Sequence, residues 1–286
     1  MLKQVRGFVN AWIPKSEAIE MAIKWRTIKA KPIETTQLIS ESFMPLTASS
    51  REKLLGVSTA TLCTAMFKKG LRNQCIQGVR PVHNDITRKQ PNMVGEAFTL
   101  RYIPAREDLN AISVFLDRQH PQRQAIEQCP PGHVLVIDSR KNPEAASAGG
   151  ILVSRLAARG CAGVVTDGGF RDSPDIATMD IAAYHVRPSA PTNLTQHQAM
   201  DINVPIGCGD VAVFPGDIMV GDAEAVVVIP AHMVDEIANE AFEMTVFEDF
   251  VTDMVQNHGR SILGLYPPTD PASVAEFAAW RKASGR

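Results

Sequence analysis

Arg171 and Asp172 stand side by side in the segment GGFRD, a guanidinium next to a carboxylate. Upstream, residues 145–150 read AASAGG, a run of small residues that leaves backbone N–H groups unencumbered. These groups suit a small anionic molecule. Amides at a helix start bind a carboxylate. A guanidinium stabilises negative charge as it develops on an oxygen, and a carboxylate is a natural ligand for a hard cation. The plain alternative is that Arg171 and Asp172 form a surface ion pair or cap the following helix.

The elements that must position these residues form one unit, residues 134–172. VLVID is a short β-branched run, as in a buried strand. ILVSRLAARG carries Ile151, Leu152, Leu156 and Ala157 at helical spacing and ends on Gly160, a plausible C′ glycine. AGVVTD reads as a second buried strand, with GGFRD at its carboxyl end. Strand, helix, strand in that order predicts a right-handed crossover joining a parallel pair. Ligands of such units bind beyond the carboxyl ends of the strands and at helix N-termini, where both turns fall.

With 286 residues, 45% hydrophobic and 21% charged, the chain can bury a substantial core, and a net charge of −2 argues against a nucleic-acid binder working through a basic surface. No apolar run approaches membrane-spanning length, and the first residues lack a signal-peptide core. The five cysteines are odd in number, scattered and without a CxxC pair, which disfavours a zinc site or a disulfide framework. These features together point to a cytoplasmic protein.

Residues 1–50 read as a helical extension, with an amphipathic helix over SEAIEMAIKWRTIKA after a Ser16 cap, and residues 51–286 as the main domain. STATLCTAMFKKG reads as a helix capped by Ser58 and ended by Gly70. GVRPV and NMVGEAFTLRYIP read as strands. REDLNAISVFLDR reads as a helix with Leu109, Ile112, Ser113 and Leu116 on one side. DIAAYHVRP and NVPIGCGDVAVFPGDIMVGDAEAVVVIP are strand-rich, and AHMVDEIANEAFEMTVFEDFVTDMVQNHG is the longest helical pattern, followed by a short helix over ASVAEFAAWRKA.

SAGGILVSRLAARGCAGVVTDGGFRD resembles the family of the regulator of ribonuclease activity A and the class II 4-hydroxy-4-methyl-2-oxoglutarate (4-carboxy-4-hydroxy-2-oxoadipate) aldolases. STATLCTAM, GVRPV, VGEAFTLRYIP, FPGDIMVGDAEAVVVIP and GRSILGLYPPT support the match in order, over roughly residues 57 to 270. The resemblance implies an α/β chain with a compact β/β/α, swivelling-type (RraA-like) fold and added N- and C-terminal helices. It also implies a homotrimer or homohexamer with sites between subunits. By the same resemblance Asp172 ligates a divalent metal, Arg171 binds the keto acid, and the glycine turn at Gly149, Gly150, Ile151 and Leu152 holds the substrate carboxylate. Glu248 of the long helix corresponds to a glutamate that reaches the metal's water shell from the adjacent subunit, with Glu240 and Glu243 as competitors. This chain departs from the aldolases in having Gly150 where they commonly carry an acidic residue, and Thr64 where the early helix usually has an aspartate.

Retro-aldol cleavage needs an electron sink for the breaking C3–C4 bond, and a divalent cation chelated by the substrate's C1 carboxylate and C2 oxygen supplies one. One protein carboxylate leaves the cation several waters, which suits Mg²⁺, Mn²⁺ or Co²⁺ rather than zinc. The expected activity is therefore a metal-dependent lyase releasing pyruvate from a 4-hydroxy-2-oxo acid. Its substrate resembles 4-hydroxy-4-methyl-2-oxoglutarate or a 2-keto-3-deoxy sugar acid, and oxaloacetate decarboxylation is a side activity. The alternative is a non-catalytic, protein-binding regulator of ribonuclease activity. A Rossmann site is excluded because no GxGxxG is present. Asp138, Asp217 and Asp222 read as turn residues, Cys161 as core, and the histidines have no metal-ligand spacing.

Overall fold

The computed structural model describes residues 45–83 and 92–286. Its longest strand organises the rest. β3, Met93–Pro104, follows the two-residue strands β1, Cys75–Ile76, and β2, Arg80–Pro81. Met93–Glu96 of β3 pair antiparallel with β13, Ile218–Gly221, and Ala97–Arg101 pair parallel with β4, Val134–Asp138. The far end of β3 pairs antiparallel with β10, His197–Ile202. One strand thus belongs to successive parts of a nine-stranded sheet, which runs β1-β14-β13-β3-β4-β6-β8-β2 with β10 joined to β3. β6 is Gly163–Thr166, β8 is Ala182–His185 and β14 is Val226–Ile229.

Residues of β4 alternate between two cores, the period-2 behaviour of a strand covered on both faces. Leu135 and Ile137 join Leu100, Val164, Leu156 and Phe170 under the helices α3, Pro121–Gln128, and α4, Gly150–Ala158. Val134 and Val136 face Met219, Val226 and Val228 in the interior of the curled sheet, together with Cys208, Val211 and Val213 from the hairpin β11, Ile206–Cys208, and β12, Val211–Val213. Ile218, Val220, Val227 and Ile229 form a third core under α1, Ala48–Leu54, α2, Thr59–Lys68, and the long α6, Val234–His258. The expected mixed α/β fold with a C-terminal helix is present, closed by α7, Pro271–Ser284.

The central unit has the expected form. β4 and β6 are parallel, α4 connects them, and Gly160 takes a positive φ of 74° beyond the helix end. Ser58 caps α2 by accepting from Thr61 N–H. The helix expected over residues 16–30 lies outside the described residues. Of the stretch assigned to the extension, residues 45–50 are described, and there Thr47 caps α1 by accepting from Ser50 N–H.

The helix expected over residues 106–118 is not formed. Arg106 N–H donates to the Asn110 side chain, and Arg106 pairs with Asp108, so local bonds close a turn that competes with helical hydrogen bonding. Only a 3₁₀ segment, Ile112–Leu116, follows, and Leu109, Ile112 and Leu116 are exposed rather than lined up on a buried face. The regular helix instead begins at Pro121, which occupies the first turn where its missing N–H costs nothing. Nor is AASAGG all turn: Ala146–Ala148 form strand β5.

Candidate active site

Three short strands bring the two special turns together. β5, Ala146–Ala148, pairs parallel with β7, Gly169–Phe170, and β7 with β9, Arg187–Pro188. Arg171 N–H then donates to Ala148 O at 3.1 Å, so Arg171 and Asp172 emerge beside Gly149 and Gly150. Buried Phe170 anchors the connection and stacks on His185, with ring centroids 5.6 Å apart.

Asp172 has φ 57° and ψ 33°, a left-handed conformation that aspartate tolerates better than most side chains. It precedes the short helix α5, Ser173–Ile176, yet its side chain makes no capping bond there. The carboxylate instead accepts from Gly150 N–H at 3.0 Å, at the head of α4. Asp172 therefore does not cap the helix that follows it and serves the first amide of α4 instead. The ion-pair alternative holds only loosely: Arg171 Nε lies 3.5 Å from Asp172 Oδ2, and both side chains are partly exposed. Such a pair contributes little to stability. The rest of the Arg171 guanidinium has no hydrogen-bond partner among the described residues.

Arg171, Asp172, Gly149, Ile151 and Leu152 line one groove of about 290 Å³. Gly150 lies just behind, its N–H held by Asp172. The expectation that the glycine-turn amides hold a substrate carboxylate is thus narrowed: Gly150 N–H already has an anionic partner, while Ile151 N–H, an unpaired amide of the first helical turn, has none among the described residues. Space is tight. A Cβ on Gly149 would come 2.7 Å from Arg171 Cγ and 2.9 Å from Asp172 Oδ2.

Glu248 is elsewhere in the chain. It accepts from Thr61 Oγ1 at 2.9 Å and lies 3.5 Å from the Tyr266 hydroxyl, on α6 where that helix packs along α2. A single chain does not bring it to the groove. Of its competitors, Glu243 pairs with Arg281 and Glu240 with Lys68 and Lys69.

The rest of the lining was not foreseen and includes Ile112, Phe115, Gln122, Arg123, Thr192 and Asn193. Gln122 donates to Tyr102 OH and to Ser147 O, both at 2.9 Å, and so ties α3 to the back of β5. Burial pushes the Tyr102 phenol up. Buried Asn193 leaves its amide nitrogen without a partner.

Among the described residues Asp172 is the one carboxylate lining the groove, and no lysine or histidine lines it. Among the described residues no group of three or more His, Cys, Asp or Glu is placed to hold a metal ion. This donor set fits a hard, water-rich cation such as Mg²⁺ or Mn²⁺ held by one carboxylate, not a zinc cage.

The other aspartates are structural, as expected. Asp138 accepts from Arg140 N–H, Asp217 from Phe214 and Ala231 N–H, and Asp222 from the N–H and hydroxyl of Thr59 at the start of α2. Asp167 is fully buried and accepts from Ser139, Lys141 and Gly209 N–H, and burial raises its carboxyl. All five cysteines are free, and Cys161 is core. No described helix is long and apolar enough to cross a membrane.

Comparison with known proteins places the chain in a family. The RraA-like (Aldolase/RraA) family model matches residues 59–228. A protein of Halalkalibacterium halodurans named "Putative 4-hydroxy-4-methyl-2-oxoglutarate aldolase" is 33% identical over 118 residues, 41% of this chain and 56% of that one. One with the same name from Ectopseudomonas mendocina is 32% identical over 99 residues, 35% of this chain and 60% of that one. The chain therefore spans little more than half the length of these relatives. The crystal structure of Streptomyces coelicolor RraAS2, described as an unusual member of the RNase ES inhibitor RraA protein family, superposes with a TM-score of 0.62 at 25% identity, covering 73% of this chain and 98% of that one. An uncharacterized Pseudomonas syringae protein shares the fold, with a TM-score of 0.66 at 21% identity over 78% of this chain and all of that one. With the family model covering more than half of the chain, and the glycine turn and Arg171–Asp172 meeting in one groove, this protein belongs to the RraA-like family.

Proposed function

We propose that the groove of Arg171 and Asp172 is the active site of a divalent-metal-dependent lyase that cleaves a 4-hydroxy-2-oxo acid by retro-aldol to pyruvate and a carbonyl fragment. The observation that carries this reading is the convergence of a guanidinium only loosely paired with Asp172, that carboxylate and a helix head in one small groove. Among the described residues no lysine lines the groove, which argues against a Schiff-base route. A divalent cation on Asp172 would supply Lewis-acid polarisation of the C2 carbonyl.

Cleavage moves the C4 hydroxyl proton to a base, breaks C3–C4, and leaves an enolate with its charge on the C2 oxygen. Arg171 donates to that oxygen, a contact that strengthens as charge develops. Ile151 N–H, at the positive end of α4, orients the C1 carboxylate. Protonation at C3 then gives pyruvate. Oxaloacetate losing CO₂ passes through the same enolate, so decarboxylation is the expected side activity. Among the described residues the groove of one chain supplies no second carboxylate for the C4 proton, which supports a trimer or hexamer in which Glu248 enters from a neighbouring subunit. The test is pyruvate release over a panel of keto acids, with and without Mg²⁺ or Mn²⁺. Release from none of them would leave the regulator of ribonuclease activity as the reading to pursue.

A further inference from the structure

Cys63 and Cys75 line one cavity of about 300 Å³, which shares no lining residue with the groove of Arg171 and Asp172. A chain reversal at the end of α2 brings them together. Gly70 takes a positive φ of 85°, and Leu71 N–H donates to Met66 O at 3.0 Å, which turns the chain back along the helix. β1 then pairs with β14, Cys75 opposite Val227 and Ile76 opposite Val226. Successive side chains of a strand point to opposite faces. Ile76 enters the interior of the curled sheet, so Cys75 faces the core under α2, against which Cys63 also packs.

Neither thiol is sealed in. Both are half-buried, whereas Cys129, Cys161 and Cys208 are buried. The cavity holds on the order of ten water volumes, room for one arm of a small disulfide. The two sulfurs are unequal. Burial pushes the Cys63 thiol up to about 11, and the neighbouring Cys75 adds to the rise. Burial raises Cys75 as well, but there Cys63 and Arg80 act against it; Asp222 and Glu224 weigh on both. Cys75 therefore gives up its proton more readily and is the attacking sulfur. These are not the lowered thiols of a catalytic cysteine. Their reduced form is not held as a thiolate, so a bridge between them is a weak oxidant and lasts once closed.

We propose that Cys63 and Cys75 form a dithiol modification site that reacts with a low-molecular-weight disulfide and closes an intramolecular bridge between α2 and β1. The Cys75 thiolate attacks one sulfur of the reagent, whose S–S bond breaks, and one small thiolate leaves. Cys63 then loses its proton and attacks the Cys75 sulfur, displacing the second small thiolate. The two protein protons end on the two small thiols, so the protein is oxidised by two electrons and the reagent reduced by two. β1 is a two-residue strand at the edge of the nine-stranded sheet, and the bridge ties that edge to the helix whose Thr61 holds Glu248. The site stands whether or not the groove is that of a lyase.

The test treats the reduced, natively folded full chain with oxidised glutathione, alkylates the remaining thiols, and reads intact mass and peptide maps. The product should have lost two hydrogens, retain no glutathione, and yield a cross-linked peptide joining Cys63 to Cys75. Cys129, Cys161 and Cys208 should stay unmodified until the chain is unfolded. The melting temperature should rise by several degrees on oxidation, since the bridge restricts the unfolded chain. Cys63→Ser should instead keep one glutathione on Cys75 and lose that rise, and Cys75→Ser should take up glutathione severalfold more slowly. Phenylarsine oxide, which bridges two neighbouring thiols, needs no variant: one molecule should bind the parental protein and block both cysteines from alkylation. Glutathione on Cys63 and Cys75 separately, no arsenical bound, or a bridge between any other pair would overturn the site.

Discussion

Gly149→Ala probes the site without touching a charged group. The backbone there has φ −130°, open to any residue, so the substitution acts only through its methyl group. That methyl would sit 2.7 Å from Arg171 Cγ, 3.0 Å from Arg171 Cδ and 2.9 Å from Asp172 Oδ2. Reaching ordinary contact requires Arg171 to move by about 0.7 Å and the Asp172 oxygen by about 0.5 Å. Both are partly exposed side chains that can swing away, so the cost to stability should stay at the low end of the ~1–3 kcal/mol typical of overpacking. Catalysis has less latitude: a misplacement near 1 Å costs on the order of a hundredfold in rate. Gly149→Ala should therefore melt within a few degrees of the parental protein while losing about a hundredfold in coupled-assay pyruvate release. At Gly150 the nearest atom to an added Cβ is Asp172 Cβ at 3.2 Å, so Gly150→Ala should cost only severalfold. A Gly149→Ala protein that cleaves its keto acid at the parental rate would refute the premise that the close approach of these turns positions the chemistry.

Asp172→Asn should lose Mn²⁺ binding in an electron paramagnetic resonance titration, because an amide cannot replace an anionic oxygen ligand for a hard cation; unchanged binding would place the metal elsewhere. Mixing Arg171→Ala with Glu248→Gln subunits, each inactive alone, should restore part of the activity by assembling intact shared sites; no recovery after confirmed subunit exchange would exclude Glu248 from the site. His197 is fully buried, stacked on Tyr102, and pushed by burial down to about 4. A histidine held neutral in the fold takes up its proton on unfolding, so stability is intact above about pH 6.5 and falls as pH drops toward 4. Urea titrations from pH 7 to 4 should show His197→Phe, though less stable overall, losing about 3 kcal/mol less across that window than the parental protein; parallel slopes would contradict it.

The sequence made the central unit readable because its periods are clean. The β-branched runs of β4 and β6 and the spacing of Leu152, Leu156 and Gly160 leave one arrangement, and the right-handed crossover places Arg171 and Asp172 at a strand end. The rest of the lining was hidden for a physical reason. Leu109, Ile112 and Leu116 imitate a helical face, but the Arg106–Asn110 turn breaks the ladder, and the apolar side chains are left exposed. Glu248 shows the other limit: its place on α6 was legible, but whether it reaches a groove depends on contacts between chains. The approach of the Cys161 thiol to the backbone carbonyl of Cys129, 32 residues away in sequence, was likewise invisible.

The central claim is that the Arg171 guanidinium stabilises charge developing on a keto acid's C2 oxygen. The most direct test is steady-state pyruvate release by Arg171→Ala at saturating Mg²⁺, beside Arg171→Lys and the parental protein. Arg171→Ala should bind the metal normally and lose about a hundredfold or more in kcat, with oxaloacetate decarboxylation falling in parallel. Arg171→Lys should recover only part of the rate, since an ammonium lacks the planar fork. Parental turnover by Arg171→Ala would show that Arg171 and Asp172 are a surface ion pair and nothing more.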